Sequence, residues 1–438
     1  MSSLIKLLYP GMHIKRWILL IMIGITLMSL GIGYLIVQVY RTTPFPEWVA
    51  FLTLQFIDRP VRGLLFIVFG AGLSAGAILQ LNRSLLAPFL TAGRENIVDI
   101  LRQHHYRQRG PKIVAIGGGT GLSTLLRGLK EYTGNLTAIV TVADDGGSSG
   151  RLRQELGILP PGDFRQCLVA LADVEPLMTR LFQYRFTEGQ ALEGHSFGNL
   201  FIAAMTAITG NFERAIRESS RVLAVRGQIL PSTLDNLTLC AEFDDDATVA
   251  GESAIPKEQK RIRRIFLRPH RPAAYPEAIR AILEADLIVI GPGSIFTSVL
   301  PNLLVEDISR SIRSARAVKV YVCNVATEHG ETDGFFVMDH IRAFESHVGP
   351  GLFQYVLVNN NLQVSAKNTT QLVTATERLA DGGYTLVLAD VIDTDDPRRH
   401  HPKKLAKGVL RLYYDRDHFG QASPGGRETE AALAQVDA

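Results

Sequence analysis

The sequence has little cysteine and little net charge, and each shortage argues against a class of function. Its 438 residues include three cysteines, Cys167, Cys240 and Cys323, which are widely separated and form no CxxC pair. That spacing disfavours a disulfide framework or a structural zinc site and suits a reducing cytoplasm. The formal net charge is +3, from 46 basic and 43 acidic residues. Such a small excess gives no indication of a nucleic-acid partner.

Two common nucleotide-binding signatures are also missing. A GxGxxG dinucleotide fingerprint would need glycine at positions 117, 119 and 122, but position 122 is Leu. No Gly-Lys-Ser/Thr follows the glycines, so the P-loop pattern fails as well. The first mismatch disfavours an NAD-dependent oxidoreductase, and the second disfavours a P-loop nucleotidase.

The sequence does contain a strand, a glycine loop and a helix start in direct succession. The apolar run 112–116 ends in GGGTG at 117–121 and continues into a helical pattern. Glycines let backbone N–H groups approach a phosphate closely, and the positive end of the helix dipole favours an anion. A tight turn between strand and helix, without any ligand, is the simpler alternative.

A second loop of small residues follows the next predicted strand. The run from Leu136 ends in Asp144 and Asp145, and the sequence GGSSGR then reaches Arg151. This loop offers acids, hydroxyls and backbone donors together, which a plain turn does not need. Two such loops on consecutive strands predict one site for a phosphorylated, nucleotide-like ligand. For the two aspartates, recognition of a ribose hydroxyl and binding of Mg²⁺ are equally open.

From residue 112 onward, apolar runs alternate with helical patterns. This alternation predicts an α/β fold with a doubly wound, Rossmann-like and mostly parallel sheet, whose ligands bind outside the carboxyl ends of the strands. Residues 151–235 are predicted to be mainly helical and to roof the site. Predicted strands start at Leu136, Leu237, Ile262, Ala285, Val318, Tyr355 and Thr385.

Three further segments supply candidate site residues. GPGS at 291–294 follows a predicted strand, and Asn324 ends the next one. GHSFGN at 194–199 opens a helix with Ser196 as a suitable N-cap. Helix capping alone would also explain that motif, and for His195 a structural hydrogen bond is favoured over acid–base catalysis because no matching nucleophile is evident.

The N-terminal part contains two long runs without charge. Residues 17–40 hold 24 uncharged residues and residues 63–82 hold 20. As helices they would reach about 36 Å and about 30 Å, enough to cross a bilayer core of roughly 30 Å. Basic residues precede the first run and follow the second, which places both termini and the main domain in the cytoplasm. We therefore expect a two-pass membrane hairpin over 1–83, a basic linker over 84–111, the main domain over 112–420 and a disordered tail over 421–438.

Seven motifs in fixed order carry a family resemblance. Over roughly residues 112–415 the chain resembles the YvcK branch of the CofD-like family, with the hairpin outside the resemblance. The motifs are GGGTG, ADDGGSSGRLR, PPGDFRQCLVALAD, GHSFGNLFIAA, GPGSIFTSVLPNLL, CNVATEHGET and RRHHPKKLA.

The resemblance implies a Rossmann-like fold and a ligand. In the YvcK branch it implies binding of UDP-sugars, notably UDP-N-acetylglucosamine, and regulation of cell-envelope synthesis, cell shape and gluconeogenic growth. In the CofD branch it implies Mg²⁺-dependent transfer of a phospholactyl group to a deazaflavin alcohol. The first is our main hypothesis, with no cofactor required for binding, and the second is the alternative.

The resemblance also implies roles for individual residues. Thr120 would sit at the phosphate loop, and Arg399 would contact the ligand, where it can pair with phosphate bidentately. Phe296 stands where the family usually has tyrosine, and its ring offers a face on which uracil could stack. His401 stands where the family usually has aspartate.

The expected site contains no catalytic residue, and Asp144 and Asp145 are its only metal candidates. The expected partners are a UDP-sugar, the lipid bilayer, an envelope-synthesis enzyme and a second copy of the chain. The candidate ligand-binding residues are Gly118, Gly119, Thr120, Gly121, Asp144, Asp145, Ser148, Ser149, Arg151, His195, Asn199, Gly291, Gly293, Ser294, Phe296, Asn324 and Arg399.

Overall fold

The structure is a computed structural model that describes residues 14–42, 47–86, 110–173, 176–363, 371–375 and 383–415. The chain forms two compact units, Met1–His105 and Tyr106–Ala438. The predicted linker lies outside the described residues over 87–109, and the predicted tail lies outside them entirely.

The N-terminal unit is helical where the sequence predicts helices. Its described elements are the helices Ile14–Thr42, Glu47–Leu52 and Arg59–Leu86. Apolar side chains on the two long helices are exposed, among them Met28 at 65% and Phe69 at 70%. Within the described residues, no helix combines the length and the apolar character that a membrane crossing requires.

The C-terminal unit is built on a seven-stranded, entirely parallel sheet, as the alternating pattern predicts. The strand order is β10-β9-β8-β7-β1-β2-β3. Counted along the chain, the strands are β1 (Ile113–Gly117), β2 (Leu136–Val140), β3 (Gln228–Pro231), β4 (Thr238–Phe243), β5 (Thr248–Ala250), β6 (Ile262–Arg268), β7 (Leu287–Ile290), β8 (Val318–Val322), β9 (Tyr355–Asn359) and β10 (Thr385–Ala389).

The central strands are apolar and buried, as strands of a sheet covered on both faces must be. Every residue of β1 and of β7 is buried. In register, Ile113 pairs with Leu136 of β2 on one side and with Leu287 of β7 on the other. The strand order reverses at β1, because β2 and β3 continue on one side while β7 to β10 continue on the other.

Two predicted strands lie outside this sheet. β4 and β6 pair antiparallel, with β5 on the far side of β4, in a separate three-stranded sheet. The residues explain the difference, because Arg263, Arg264 and Arg268 of β6 are exposed while Ile265 and Leu267 are buried. A strand with this many charges fits a sheet that is open to solvent on one face, and it cannot be buried on both faces.

The predicted helical insertion is confirmed, with one omission. The short edge strand β3 also falls inside it; its four residues end at Pro231, a residue that edge strands tolerate. The α-helices of the described C-terminal unit are Gly119–Leu129, Gly147–Leu156, Gly162–Leu171, Pro176–Gln183, Phe197–Thr209, Phe212–Val222, Pro276–Leu283, Leu300–Leu303, Glu306–Ser314, Val337–Val348 and Pro402–Tyr414. Ile255–Glu258 forms a 3₁₀ helix, and Ile295–Val299 forms a π-helix.

Candidate functional site

Two glycine loops meet where the strand order reverses. GGGTG follows β1 and GPGS follows β7, its neighbour in the sheet. A Cβ added at Gly121 would lie 2.5 Å from the carbonyl oxygen of Pro292 and 2.8 Å from the Cα of Gly293. The two backbones therefore touch, and only a residue without a side chain fits there. Such a reversal point is where doubly wound sheets bind ligands.

A cleft of about 190 Å³ opens beside these loops. Thr120 is exposed and lines it, and Arg399 lines it from the C-terminal part of the chain. The fold thus brings together the two ligand contacts that the resemblance implies. A complete nucleotide-sized ligand needs roughly 300 Å³ or more, so this volume suits its phosphates, with the rest outside. The lining residues include Gly118, Gly119, Thr120, Gly121, Thr124, Gly293, Ser294, Asn324, Glu328, Arg398, Arg399 and His400.

The first loop has the backbone geometry of an anion site. Helix Gly119–Leu129 begins in the cleft with Gly118 as its N-cap, and Gly118 has no side chain to occupy the first N–H groups. Gly119 adopts φ +61°, which favours glycine. The N–H groups and the helix dipole favour negative charge at this point.

Asp163 lies against this loop and was not among the predicted site residues. Its Oδ2 would be 2.5 Å from a Cβ on Gly118, and its carboxylate accepts the N–H of Gly119. Burial and the neighbouring Asp144 raise the pKa of Asp163 to about 7. The available sequence signal was its place in PPGDF, at the start of helix Gly162–Leu171.

Glu252 was also missed and adds to the negative charge in this region. Burial, together with Asp144, Asp163 and Asp145, raises the pKa of Glu252 to about 8. It lies between β5 and β6 of the antiparallel sheet, and a lone Glu in a loop gave no sequence signal. Buried carboxylates that disfavour each other's ionisation need a proton or a cation nearby.

Asp144 and Asp145 both accept backbone N–H groups. Asp145 Oδ1 accepts the backbone N–H of Ser253 at 2.9 Å, which fastens the segment after β5 to this loop. Asp144 Oδ1 accepts the N–H of Gly146 at 2.9 Å, and burial raises the pKa of Asp144. Among the residues that the structure describes, no three His, Cys, Asp or Glu side chains are arranged to hold a metal ion. Binding of Mg²⁺ by Asp144 and Asp145, with water and phosphate as further ligands, stays a prediction.

Four predicted residues form a buried polar network that joins the second loop to GHSFGN. Ser148 Oγ lies 3.0 Å from His195 Nδ1, and Asn199 Nδ2 donates to Ser148 Oγ at 3.1 Å and to Ser149 Oγ at 3.4 Å. Burial lowers the pKa of His195. His195 thus makes the hydrogen bond that was expected of it, and none of the four is among the residues that line the cleft.

Arg151 is directed to the same neighbouring loop. Its Nη2 donates to the carbonyl oxygen of Glu193 at 2.7 Å. The cleft lining does not include Arg151. The structure therefore separates Arg151 from the phosphate loop and places Arg398 there, beside Arg399.

Phe296 lies in the core. It is 2% exposed, and its ring centroid is 6.2 Å from that of Phe335 and 5.9 Å from that of His347. The predicted stacking of uracil on Phe296 has no exposed ring face to use, so this expectation was wrong for the arrangement seen here. Phe296 lacks the hydroxyl of the family's usual tyrosine, and this avoids the free-energy cost of burying a polar group in apolar surroundings.

Asn324 and Ser294 hold the second glycine loop in place. The Asn324 amide accepts the Gly293 N–H at 3.2 Å and donates to the Gly293 carbonyl at 3.1 Å. Ser294 Oγ donates to Glu331 and accepts from Thr297 Oγ1, the latter at 2.7 Å. Both residues line the cleft, but their polar groups are already used in building it.

The segment that carries Arg399 is anchored on both sides of that residue. His400 is buried and its Nε2 lies 3.2 Å from the carbonyl oxygen of Cys323, to which it donates. Burial lowers the pKa of His400 to about 4, so the ring is neutral at pH 7. His401 accepts the Lys404 N–H at 3.4 Å as the N-cap of helix Pro402–Tyr414, a role open to the usual aspartate. Arg399 Nε pairs with Asp396 at 3.2 Å, with its side chain 60% exposed.

Comparison with known proteins shows the family to which the chain belongs. Residues 113–392 match the family described as 2-phospho-L-lactate transferase CofD. The chain belongs to the CofD family. The match covers the strands β1 to β10 and both glycine loops of this CofD-family protein.

Two relatives with 47% and 50% sequence identity carry a name different from that of the family. A protein of Halalkalibacterium halodurans named "Gluconeogenesis factor" is 50% identical over 306 residues, which is 68% of this chain and 95% of that one. A Nostoc protein named "Putative gluconeogenesis factor" is 47% identical over 436 residues, 94% of this chain and 93% of that one. The uncovered 6% is shorter than the N-terminal 83 residues, so this likeness extends into the segment expected to lie outside the family resemblance.

A solved structure agrees on the fold of the main unit. The crystal structure of a Bacillus halodurans protein superposes with a TM-score of 0.64 at 47% identity, over 68% of this chain and 99% of that one. At this identity the likeness supports the Rossmann-like fold over the 68% of the chain that it covers.

Proposed function

We propose that this CofD-family protein belongs to the UDP-sugar-binding YvcK branch and is a regulator that binds UDP-N-acetylglucosamine. The observation that carries the proposal is the cleft at the strand reversal, where Thr120, the N–H groups of the first glycine loop and Arg399 converge. These are the donors that a diphosphate needs. We propose the glycine loop as the phosphate cradle and the open side of the cleft as the exit for the nucleoside and sugar.

The hydrogen bonds that the cleft side chains make favour a regulatory role over catalytic turnover. Ser294 donates to Glu331 and His400 donates to Cys323, so neither is poised as a nucleophile or a base. The relatives' name, gluconeogenesis factor, supports a role in gluconeogenic growth. With the resemblance to the YvcK branch, we extend that role to cell-envelope synthesis and cell shape, with an envelope-synthesis enzyme as the partner.

Calorimetric titration of the purified full-length chain tests this proposal. We expect saturable binding of UDP-N-acetylglucosamine and at least about tenfold weaker binding of NAD and of a deazaflavin alcohol. Equal affinity for NAD, or no heat with the UDP-sugar, would contradict the proposal.

The alternative function is Mg²⁺-dependent phospholactyl transfer. One observation favours it, because Asp144 raises the pKa of Asp163 and both raise the pKa of Glu252, so three carboxylates lie near one another by the phosphate loop. Product formation from a phospholactyl donor and a deazaflavin alcohol, dependent on added Mg²⁺, would replace the regulator with the enzyme.

We also propose that the N-terminal segment tethers the protein to the cell membrane as a two-pass hairpin with both termini cytoplasmic. Support comes from the uncharged runs 17–40 and 63–82, the flanking basic residues and the exposed apolar side chains of both helices. Exposed apolar surface on this scale is typical of membrane or protein contact.

Fractionation tests the tether. The intact chain is expected to sediment with membranes and to resist carbonate extraction, because each run has 20 or more consecutive uncharged residues, about the length that a bilayer core requires. A chain beginning at Gly110 is expected in the supernatant with ligand binding retained. Recovery of the intact chain in the soluble fraction would refute the tether and leave the ligand proposal intact.

A further inference from the structure

One carboxylate in the cleft has bonding capacity that the described residues do not use. Glu328 follows β8 and lines the cleft with the phosphate loop. Asn324 Nδ2 donates to Glu328 Oε1 at 3.2 Å, but the same amide also donates to the Gly293 carbonyl. Burial and the neighbouring Glu331 raise the pKa of Glu328 to about 7, and its ionised form accepts about four hydrogen bonds. Within the described residues, most of the acceptor sites of ionised Glu328 are therefore left for a ligand.

The neighbouring Glu331 is in the opposite situation. Its carboxylate accepts the hydroxyls of Ser294 and Thr297, the latter at 3.0 Å, and the backbone N–H groups of Phe296 and Thr297. Ser294 lies near both glutamates but has a single hydroxyl proton, which it gives to Glu331. Glu331 thus caps the turn Ile295–Val299 as a structural residue, and Glu328 is left to face the ligand.

We propose that Glu328 accepts a hydrogen bond from a hydroxyl group on a sugar ring next to the ligand's phosphate, and that it thereby selects hydroxylated rings. This inference rests on the proposed nucleotide-sugar function. A carboxylate that shares a small cleft with phosphate is repelled unless a donor group lies beside it. A ring hydroxyl within a few bonds of the phosphorus supplies that donor. Both the ribose and the pyranose of a nucleotide sugar carry such hydroxyls.

The test measures two affinity ratios with the full-length chain by calorimetry. The affinity for UDP divided by the affinity for 2′-deoxy-UDP or 3′-deoxy-UDP reports on the ribose hydroxyls. The affinity for UDP-N-acetylglucosamine divided by the affinity for UDP reports on the pyranose. A hydrogen bond to a charged acceptor is expected to make at least one ratio about tenfold or more in the parent protein. Glu328→Gln is expected to bring that ratio to within about threefold of unity.

If Glu328 were only structural, its replacement would lower the affinity for all these ligands alike and leave both ratios unchanged. The ratios therefore distinguish ligand recognition from a structural role. Glu284→Gln is the control, because Glu284 pairs with Lys112 at the opposite end of the sheet and should leave both ratios unchanged. If Glu328→Gln fails to fold, Glu328→Asp keeps the charge but withdraws the oxygens, and the same ratio should fall.

The possible failures are distinguishable. If the parent binds the UDP compounds and both ratios survive in the Glu328 variant, the assignment of Glu328 is overturned while the proposed function stands. If the parent binds none of them, the proposed function and this inference both fall.

Discussion

Arg399→Ala is expected to weaken binding of UDP-N-acetylglucosamine by about 10- to 100-fold. Arg399 lines the cleft beside the phosphate loop and can offer a planar, bidentate donor pair to a phosphate. Charge-assisted hydrogen bonds contribute roughly 1.5–3 kcal/mol, and each 1.4 kcal/mol is about tenfold in affinity. The side chain is 60% exposed, so solvent screening holds the effect below that of a fully buried pair.

Calorimetry and thermal unfolding check this expectation together. The unfolding temperature without ligand should change little, because Arg399 buries little apolar surface and its ion pair with Asp396 is exposed. Thr120→Ala is the comparison variant, since it removes one hydroxyl and should cost roughly 0.5–1.5 kcal/mol of binding. Parent-like binding by Arg399→Ala would transfer the phosphate contact to Arg398, which lines the same cleft.

The sheet was predictable because its signal is local. The apolar run before Gly117 can be buried on both faces only in a covered parallel sheet, and the glycine loop after it marks the ligand end of the strand. The prediction failed where the deciding contacts are not local. β4 and β6 are apolar enough to be predicted as strands, but their sheet is decided by charged residues whose partners lie elsewhere in the chain. Arg264 Nη2 donates a hydrogen bond to Glu242 Oε2 at 2.9 Å across that second sheet.

Site residues were predictable where backbone chemistry decides the role. Thr120 and the glycines are in place because a strand, a loop and a helix start follow one another in the sequence. Side-chain direction was not predictable, because it depends on contacts between distant segments. Phe296 and Arg151 belong to glycine-loop motifs, yet one turns into the core and the other to Glu193. Asp163 turns toward the phosphate loop although its own motif resembles an ordinary helix start.

Gly121→Ala is expected to have the largest effect of any single methyl addition in the site. The new Cβ would lie 2.5 Å from the Pro292 oxygen and 2.7 Å from its carbonyl carbon, which are backbone atoms and cannot rotate away. Overpacking of this kind costs roughly 1–3 kcal/mol of folding free energy. Because the two glycine loops must separate to admit the methyl, the cleft changes shape, and we expect at least about tenfold weaker UDP-sugar binding.

Gly117→Ala is the matched control in the same loop. A Cβ at Gly117 would meet Leu122 Cβ and the Pro292 oxygen at 3.7 Å, which is ordinary van der Waals contact. We therefore expect Gly117→Ala to unfold and bind nearly as the parent does, while Gly121→Ala loses both stability and affinity. Thermal unfolding with and without ligand measures both changes. Equal behaviour of the two variants would mean that the loops after β1 and β7 do not touch in solution, and the cleft between them would lose its structural basis.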